Sequence, residues 1–400
     1  MRKFHSPDPY LILATLALVI FGIIMVSSAS VVESFQVTGS NTYYFFRQAI
    51  FALVGLMLWF FLQRFDYHNY RFVATTALLI SAVLLVLVFI PGLGVEAGGS
   101  RRWLGAGDLT LQVTEVLKLG LIFYLAYWLE QKGPRINSFY HTCLPFIVLL
   151  VVICGLIVAE PDMGTTMVIA GIALAMYYSA GGRWQHLSLI VFGGVTIAWV
   201  LIWAAPYRAA RLMTFLNLSD DPLGAGYHIN QALIALGSGG FLGLGFGRSR
   251  QKYNFLPETS SDSIFAIIGE ELGFLGIIFL VLLPLTVFVW RGLQTARRAP
   301  DTFGRLLAVG ITTWIGWQAA VNIGAIIGLI PLTGVPLPFI SQGGSSLLFV
   351  LAASGILLNI SRQTIYTKDD EDPFGWWGDI WSRVAGFIRR ARYLERKPTE

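Results

Sequence analysis

Asp262 closes a polar stretch, Tyr253-Asn254-Phe255-Leu256-Pro257-Glu258-Thr259-Ser260-Ser261-Asp262, and a long apolar run, Ser263 to Trp290, follows at once. A carboxylate at the lip of a membrane span is half-desolvated, which raises its pKa toward working pH and suits it to act as a general base. A few residues upstream, Arg248, Arg250 and Lys252 could hold a pyrophosphate. Base, cationic clamp and lipid access in one loop are what lipid-pyrophosphate chemistry needs. The plainer role for Asp262 is an N-cap of the helix that follows, for which Ser260, Ser261 and Ser263 compete.

Other polar residues sit in or beside apolar runs, where they are expensive and need a reason. Glu115 and Lys118 are three apart on one helix face. They read as a structural ion pair, the alternative being that Lys118 points into a cavity and binds phosphate. Glu160 and Asp162 flank Pro161 where a turn is expected, and Asp162 suits the cap of the next helix. Glu270 and Glu271 lie two turns into a span, so at least one must face the bundle interior. The loop 331–346 contains three prolines that fix an extended path, and its glycines and serines then open a helix with free N–H groups able to meet an anion. Re-entrant structural packing is the plainer reading of that loop.

The elements that must position these residues are transmembrane helices. Hydrophobic residues make up 55% of the 400-residue chain and charged residues 13%, with a mean hydropathy of +0.66, whereas soluble domains carry roughly 25% charge. About ten runs are long enough to span, roughly 10–30, 44–63, 72–90, 113–130, 142–158, 164–180, 187–204, 263–290, 304–330 and 343–360. The first lacks a convincing cleavage site and reads as a retained helix. Pro284 is expected to kink the eighth. Cys143 and Cys154 share one run, about 16 Å apart on a helix, too far to pair. No Walker loop, zinc-spaced cysteine pair or H-E-x-x-H motif is present, and nothing points to nucleic acid.

Lys and Arg counts orient the spans. With the N-terminus in the cytoplasm, inside segments carry Arg2, Lys3, Arg64, Arg71, Lys132, Arg135, Arg183, Arg291, Arg297, Arg298 and Arg305 as well as the basic tail. The short outside segments 31–43, 159–163 and 331–342 carry none. Only two outside loops are basic: 92–112, with Arg101 and Arg102, and 205–262. The long loop either escapes the rule by its length or holds an anionic ligand. Within it, Ile229, Ala232, Leu233 and Leu236 fall at helical spacing opposite Asn230 and Gln231, predicting one short amphipathic helix lying in the interface. The chain divides into a polytopic domain, 1–362, and a tail, 363–400. In the tail an acidic patch precedes an apolar stripe, Trp377, Ile380, Trp381, Val384 and Ile388, flanked by arginines. It reads as a cytoplasmic helix on anionic lipid, or as a docking helix for a cytoplasmic partner.

Taken in order, these stretches resemble the SEDS family, the polytopic cell-wall polymerases of shape, elongation, division and sporulation. The resemblance covers residues 8–362. It rests on Gly98-Gly99-Ser100-Arg101-Arg102-Trp103, on Gln112 with Glu115 and Lys118, and on Glu160-Pro161-Asp162-Met163-Gly164-Thr165. It rests also on Ser249-Arg250-Gln251-Lys252-Tyr253, Leu256-Pro257-Glu258, Asp262, the run Phe265 to Gly273, and the loop 331–346. The first and fourth of these runs look like the division branch or its sporulation relative. Three places depart from the family pattern: Ser260-Ser261-Asp262-Ser263 where His-Thr-Asp-Phe is common, Val113-Thr114 where Pro-Ser is common, and Gln342 where Tyr is common.

The resemblance implies an all-α bundle of about ten transmembrane helices with a large extracytoplasmic loop between spans 7 and 8, and both termini cytoplasmic. It implies an inverting peptidoglycan glycosyltransferase at the outer face of the bacterial plasma membrane. That enzyme polymerises lipid II into glycan strands and releases undecaprenyl pyrophosphate. Asp262 would be the essential acid. Arg101, Arg102, Lys118, Arg250, Gln251, Lys252, Glu258 and Ser345 would contact substrate. Glu115, Glu160, Asp162, Glu270 and Glu271 would be structural. No metal-ligand set is evident, though a divalent cation, Mg or Mn, could share in stabilising the leaving group. A class B penicillin-binding protein and other divisome or elongasome membrane proteins are the implied partners. The rival readings are a lipid II flippase or transporter, and a non-catalytic divisome scaffold.

Overall fold

Apolar runs near 20 residues fold as helices in lipid because a helix satisfies every internal backbone N–H and C=O within its own segment. The computed structural model describes residues 5–97, 100–106, 109–216 and 226–364. The tail beyond Thr364, with its acidic patch and apolar stripe, lies outside the described residues, as does 217–225 of the long loop. Among the described residues, eight helices or helix pairs are long and apolar enough to cross a membrane. They include α1 (Pro9–Ala29), α3 (Tyr43–Leu62), α4 (Tyr70–Leu87), α6 (Leu144–Ala159) and α8 (Trp184–Trp203). The last three are α11 (Ile264–Gly276) continued by α12 (Leu283–Arg297), α13 (Thr302–Ile326) and α14 (Gly344–Ser361). Two further helices complete the set of ten read from the sequence: α5 (Val113–Lys132), which carries Glu115 and Lys118, and the shorter α7 (Met163–Ser179). A short helix, α2 (Val31–Thr38), follows α1.

The centre of the bundle is built by α13 and α14, which are buried over most of their length, while α3, α4 and α8 expose most of their apolar surface. Lipid offers no hydrophobic incentive to associate, so close backbone approach does the work. At Gly310 of α13 a methyl group would meet Ile122 of α5 and Met176 of α7, each 2.8 Å away. At Gly355 of α14 it would lie 2.8 Å from the Trp59 carbonyl of α3. The chain's two described ends meet at one end of the bundle, where the His5 N–H donates to the Arg362 carbonyl at 2.8 Å and Arg291 bonds Asp8.

Three features depart from the sequence expectation. Residues 94–112 form a three-stranded antiparallel sheet, β1 (Gly94–Ala97), β2 (Ser100–Ala106) and β3 (Leu109–Gln112), in the order β1-β2-β3. Trp103 pairs with Gln112, so the sheet leads straight into α5. The run is too short and too glycine-rich to display a period-2 pattern. The break in the eighth span falls at Gly273, with φ 69° and ψ −171°, a conformation that glycine alone adopts easily. Pro284 causes no such break: a π-turn over Ile277–Leu282 precedes it and absorbs its missing donor.

The long loop contains two helices, α9 (Pro206–Leu216) and α10 (Tyr227–Gly239). Instead of lying alone in an interface, α10 runs beside α11 in the same direction. His228 meets Ser263 at 2.7 Å, and Gly239 abuts the Gly269 carbonyl. Its buried face is Ile229, Ala232, Ala235 and Gly239, small residues that admit α11, while Leu233 is exposed. The turn after α10 fills the Gly273 break: Leu244 and Gly245 donate to the Glu270 and Glu271 carbonyls, and Phe274 and Leu275 donate back to Gly240 and Phe241. Gly239→Ala is therefore expected to destabilise the protein by about 1–3 kcal/mol. Gly237→Ala, in the same helix but facing open space, should leave the melting temperature unchanged or slightly raised. Thermal unfolding in detergent checks both.

Candidate active site

At the end of the bundle away from the two described termini, a cavity of about 670 Å³ opens between β2, β3, α3, α9, α10 and the loop 331–346. Asp262 lines it, and so do Arg102, Glu258 and Ser345 of the residues singled out from the sequence. Asp262 does not cap α11. Ser263 occupies the cap position, and its hydroxyl is engaged by His228. The Asp262 carboxylate is thus left to the cavity.

Its backbone is fixed by two neighbours. Asn322 of α13 donates through Nδ2 to the Asp262 carbonyl at 2.9 Å and to the Val335 carbonyl at 2.7 Å. Ser341 Oγ donates to the Ser261 carbonyl at 2.6 Å, and the Gln342 N–H to the Ser260 carbonyl at 2.8 Å. The segment 258–263 and the loop 331–346 are thereby stitched together. Gly334 lies against the carboxylate itself, where a Cβ would sit 3.2 Å from Oδ2. Burial pushes the Asp262 carboxyl up to about 7. The neighbouring Glu258 raises it further, the Arg102 guanidinium opposes that rise, and Asp162 adds to it. The side chain keeps some contact with the cavity, yet the surrounding protein dominates its environment.

Arg102 of β2 lines this space. Its Nη2 donates to the Pro161 carbonyl at 2.7 Å, and its Nε lies 3.6 Å from Asp162 Oδ2. Asp162 also caps α7, accepting from the Thr165 N–H at 2.9 Å and from its hydroxyl at 2.8 Å. Glu160 is buried beside this group, with neither carboxyl oxygen hydrogen-bonded among the described residues. Burial and then Asp162 push its carboxyl up to about 8, against Arg102. Arg101 belongs to β2, and its side chain lies outside what is described. Ser345 Oγ accepts from the Gln112 N–H at 3.3 Å, joining α14 to β3 at the cavity wall.

Arg47 of α3 also lines the cavity, whereas Lys118, Arg250 and Lys252 do not. Lys118 is buried, with Nζ 2.8 Å from Glu115 Oε1 and 2.7 Å from Gln318 Oε1. Arg250 has an exposed side chain, and neither it nor Gln251 nor Lys252 lines the cavity. Two successive buried carboxylates explain this. Glu270 accepts from Ser249 Oγ (2.5 Å) and the N–H groups of Arg250 (3.0 Å) and Gln251 (3.3 Å). Glu271 accepts from Ser28 Oγ at 2.7 Å and from Lys252 Nζ at 3.1 Å. Residues 249–252 are thus wrapped around the acids of α11, as buried charges require.

Sequence reasoning passed over Arg47, Gln48, Trp103, His228 and Asn322, all of which line the cavity. The signal that could have found Arg47 and Gln48 is two adjacent polar residues near the outer end of an otherwise apolar run. Among the described residues no cluster of three or more His, Cys, Asp or Glu side chains could hold a metal ion. Among the described residues the cavity wall offers two carboxyls, Asp262 and Glu258, two guanidinium groups, Arg47 and Arg102, and a row of neutral polar side chains. Lys252→Met, which strands Glu271 without its charge partner, is expected to destabilise the protein by about 3–5 kcal/mol. Arg250→Ala should change stability by less than about 0.5 kcal/mol. Chemical or thermal unfolding of the detergent-solubilised protein measures both.

The profile of the family described as cell cycle protein, spanning FtsW, RodA and SpoVE, matches residues 9–366. The chain is 42% identical over 364 residues to stage V sporulation protein E of Bacillus subtilis, covering 91% of this chain and 99% of that one. It is 42% identical over 356 residues to a probable peptidoglycan glycosyltransferase FtsW of Trichlorobacter lovleyi, covering 88% and 93% of the two chains. Among solved structures it resembles a chain from work on the structural coordination of polymerization and crosslinking by a peptidoglycan synthase complex. That likeness has a TM-score of 0.73 and 27% identity over 89% of this chain and 98% of the other. The rod shape determining protein RodA of Thermus thermophilus is similar with a TM-score of 0.66 and 27% identity, over 90% and 99% of the chains.

Proposed function

Because the chain belongs to the FtsW, RodA and SpoVE family of cell cycle proteins, we propose that it is a peptidoglycan glycosyltransferase that polymerises lipid II, with Asp262 as its general base. The observation that carries the assignment to Asp262 is its uncapped carboxyl, facing a cavity of about 670 Å³ beside Arg102 and raised to about 7 by burial. A base with a pKa near working pH combines the right protonation state with a useful driving force.

In the proposed step the Asp262 carboxylate takes the proton of the acceptor sugar's 4-hydroxyl. That oxygen attacks the donor's anomeric carbon from the face opposite the pyrophosphate. The bond from the anomeric carbon to the pyrophosphate oxygen breaks, and the lipid pyrophosphate leaves with the electron pair. Negative charge develops on that leaving group, so fixed cations lower the barrier most. Arg102 and Arg47, which both line the cavity, are the proposed clamp. A divalent cation, Mg or Mn, held by substrate phosphates could share this task. Lys118, Arg250, Gln251 and Lys252 are left out of substrate contact, because buried carboxylates or open solvent claim them.

The same proposal sets the chain in the bacterial plasma membrane with both termini in the cytoplasm and the cavity outward. Arg71, Arg291 and Arg362 cluster at the end opposite the cavity, in keeping with the positive-inside bias. It assigns 1–362 as the polytopic domain and 363–400 as a tail on anionic lipid. It takes a class B penicillin-binding protein as partner. The likeness to a chain of a peptidoglycan synthase complex supports that choice.

Asp262→Asn is expected to reduce polymer formation by roughly 10²–10⁴-fold while lipid II binding persists, assayed with purified protein and partner. Undiminished polymer yield would refute the assignment. The wild-type rate should fall as pH drops through about 7, because protonation removes the base. Glu258→Gln removes a charge that raises the Asp262 pKa, so its acid limb should move to lower pH. Arg102→Ala removes one that lowers it, so its limb should move to higher pH, with a reduced maximal rate. A rate profile between about pH 5 and 9 reads all three.

A further inference from the structure

Three side chains on the cavity wall carry acceptor oxygens that are buried and without a hydrogen-bond partner among the described residues: Asn322 Oδ1, Thr333 Oγ1 and Gln342 Oε1. A buried unpaired polar atom is costly, and native structures keep few of them. Three in one cavity, beside Asp262, form a pattern.

Asn322 fixes the chemistry of the row. Its side chain is 2% exposed. Nδ2 donates to two carbonyls, those of Asp262 and Val335, so a flipped amide would set oxygen against oxygen. Oδ1 therefore stays an acceptor, and only a donor can satisfy it. Thr333 and Gln342 come from the loop that Asn322 and Ser341 hold against the Asp262 segment. All three residues thus belong to the same stitched unit as the proposed base. Gln342 uses its backbone N–H to reach Ser260, which leaves the side chain no structural task in the described contacts.

We propose that Asn322, Thr333 and Gln342 form a saccharide-reading row, whose oxygens accept hydrogen bonds from the hydroxyl and amide N–H groups of the sugar that Asp262 activates. The assignment rests on the glycosyltransferase reading and deepens it. An N-acetylated saccharide presents hydroxyl and amide donors in quantity. A pyrophosphate presents acceptors only and finds no donor at the fixed Asn322 oxygen, while the Thr333 hydroxyl and the Gln342 amide can both accept from the sugar and donate to it. The wall therefore sorts the two halves of the substrate, with guanidinium groups for the phosphates and carbonyl and hydroxyl oxygens for the sugar. Asn322 has a second role as a positioning residue, since its Nδ2 holds the backbone of Asp262.

The test uses Thr333→Val and Gln342→Leu, near-isosteric changes that remove one polar group each and leave the Asn322 contacts in place. With the full-length protein and its partner, each is expected to raise KM for lipid II about three- to tenfold, the effect of one lost hydrogen bond. Each should keep kcat within about twofold and leave the melting temperature unchanged. Equilibrium binding of lipid II in an Asp262→Asn background should weaken by the same factor. Asn322→Leu should lower kcat as well as raise KM, because it also frees the Asp262 carbonyl. If wild-type protein polymerises lipid II while KM and Kd in both near-isosteric variants stay unchanged, or if only kcat falls, the saccharide row is refuted and the glycosyltransferase reading stands. If wild-type protein neither binds nor polymerises lipid II, that reading fails first.

Discussion

Irregular backbone at the end of a helical membrane bundle must find its hydrogen bonds inside the protein, because lipid supplies none. The amide of Asn322 meets that constraint for two segments at once, the 258–263 turn and the 331–346 loop. Four residues earlier on the same helix face, Gln318 does the same for the Pro336 carbonyl, and its oxygen accepts from Lys118 and Trp314. One face of α13 thus carries a ladder of amides that turns two loops into a rigid wall. Everything proposed for the cavity depends on that wall, since a base that wanders by an ångström loses much of its value.

The spans were legible because a membrane imposes a length and a composition that few other contexts share. All ten runs appear as helices, and the eighth is broken at Gly273. The small sheet was not legible: its pattern spans two short turns, and its strands gain their pairing only from one another. Asp262 was legible because its surroundings change sharply from polar loop to apolar run. The cationic clamp was legible only in part. Arg102 reaches the cavity through the sheet, but Lys252 and Lys118 are claimed by Glu271 and Glu115. A linear sequence shows that Glu270 and Glu271 need partners. It does not show which loop will return to supply them.

Those claimed cations still serve the site indirectly. The hydrogen bonds from residues 249–252 to Glu270 and Glu271 hold the returning chain against α11, ten residues before Asp262. The turn after α10 fills the Gly273 gap and braces the same helix from the other side. Buried ion pairs contribute little net stability, but they penalise wrong arrangements heavily. Here that penalty selects one path for a long loop whose end is the proposed base.

The distribution of charge in the cavity also fits the chemistry better than a paired-carboxylate site would. Enzymes that hydrolyse glycosidic bonds use a second carboxyl to protonate a poor leaving group. A pyrophosphate leaves as a stable anion and needs no such proton; it needs positive charge held in place. Asp262 raised to about 7 and opposed by the Arg102 guanidinium, with the second cavity carboxyl, Glu258, bound to Ser261, is the arrangement the proposed reaction favours. Glu258 tunes that carboxyl upward, and its own side chain is tied to Ser261 at 2.6 Å. Arg102 pulls the Asp262 pKa down while facing the region where the leaving group's charge would build. In the proposed reaction a single guanidinium would thus couple the strength of the base to the departure of the pyrophosphate.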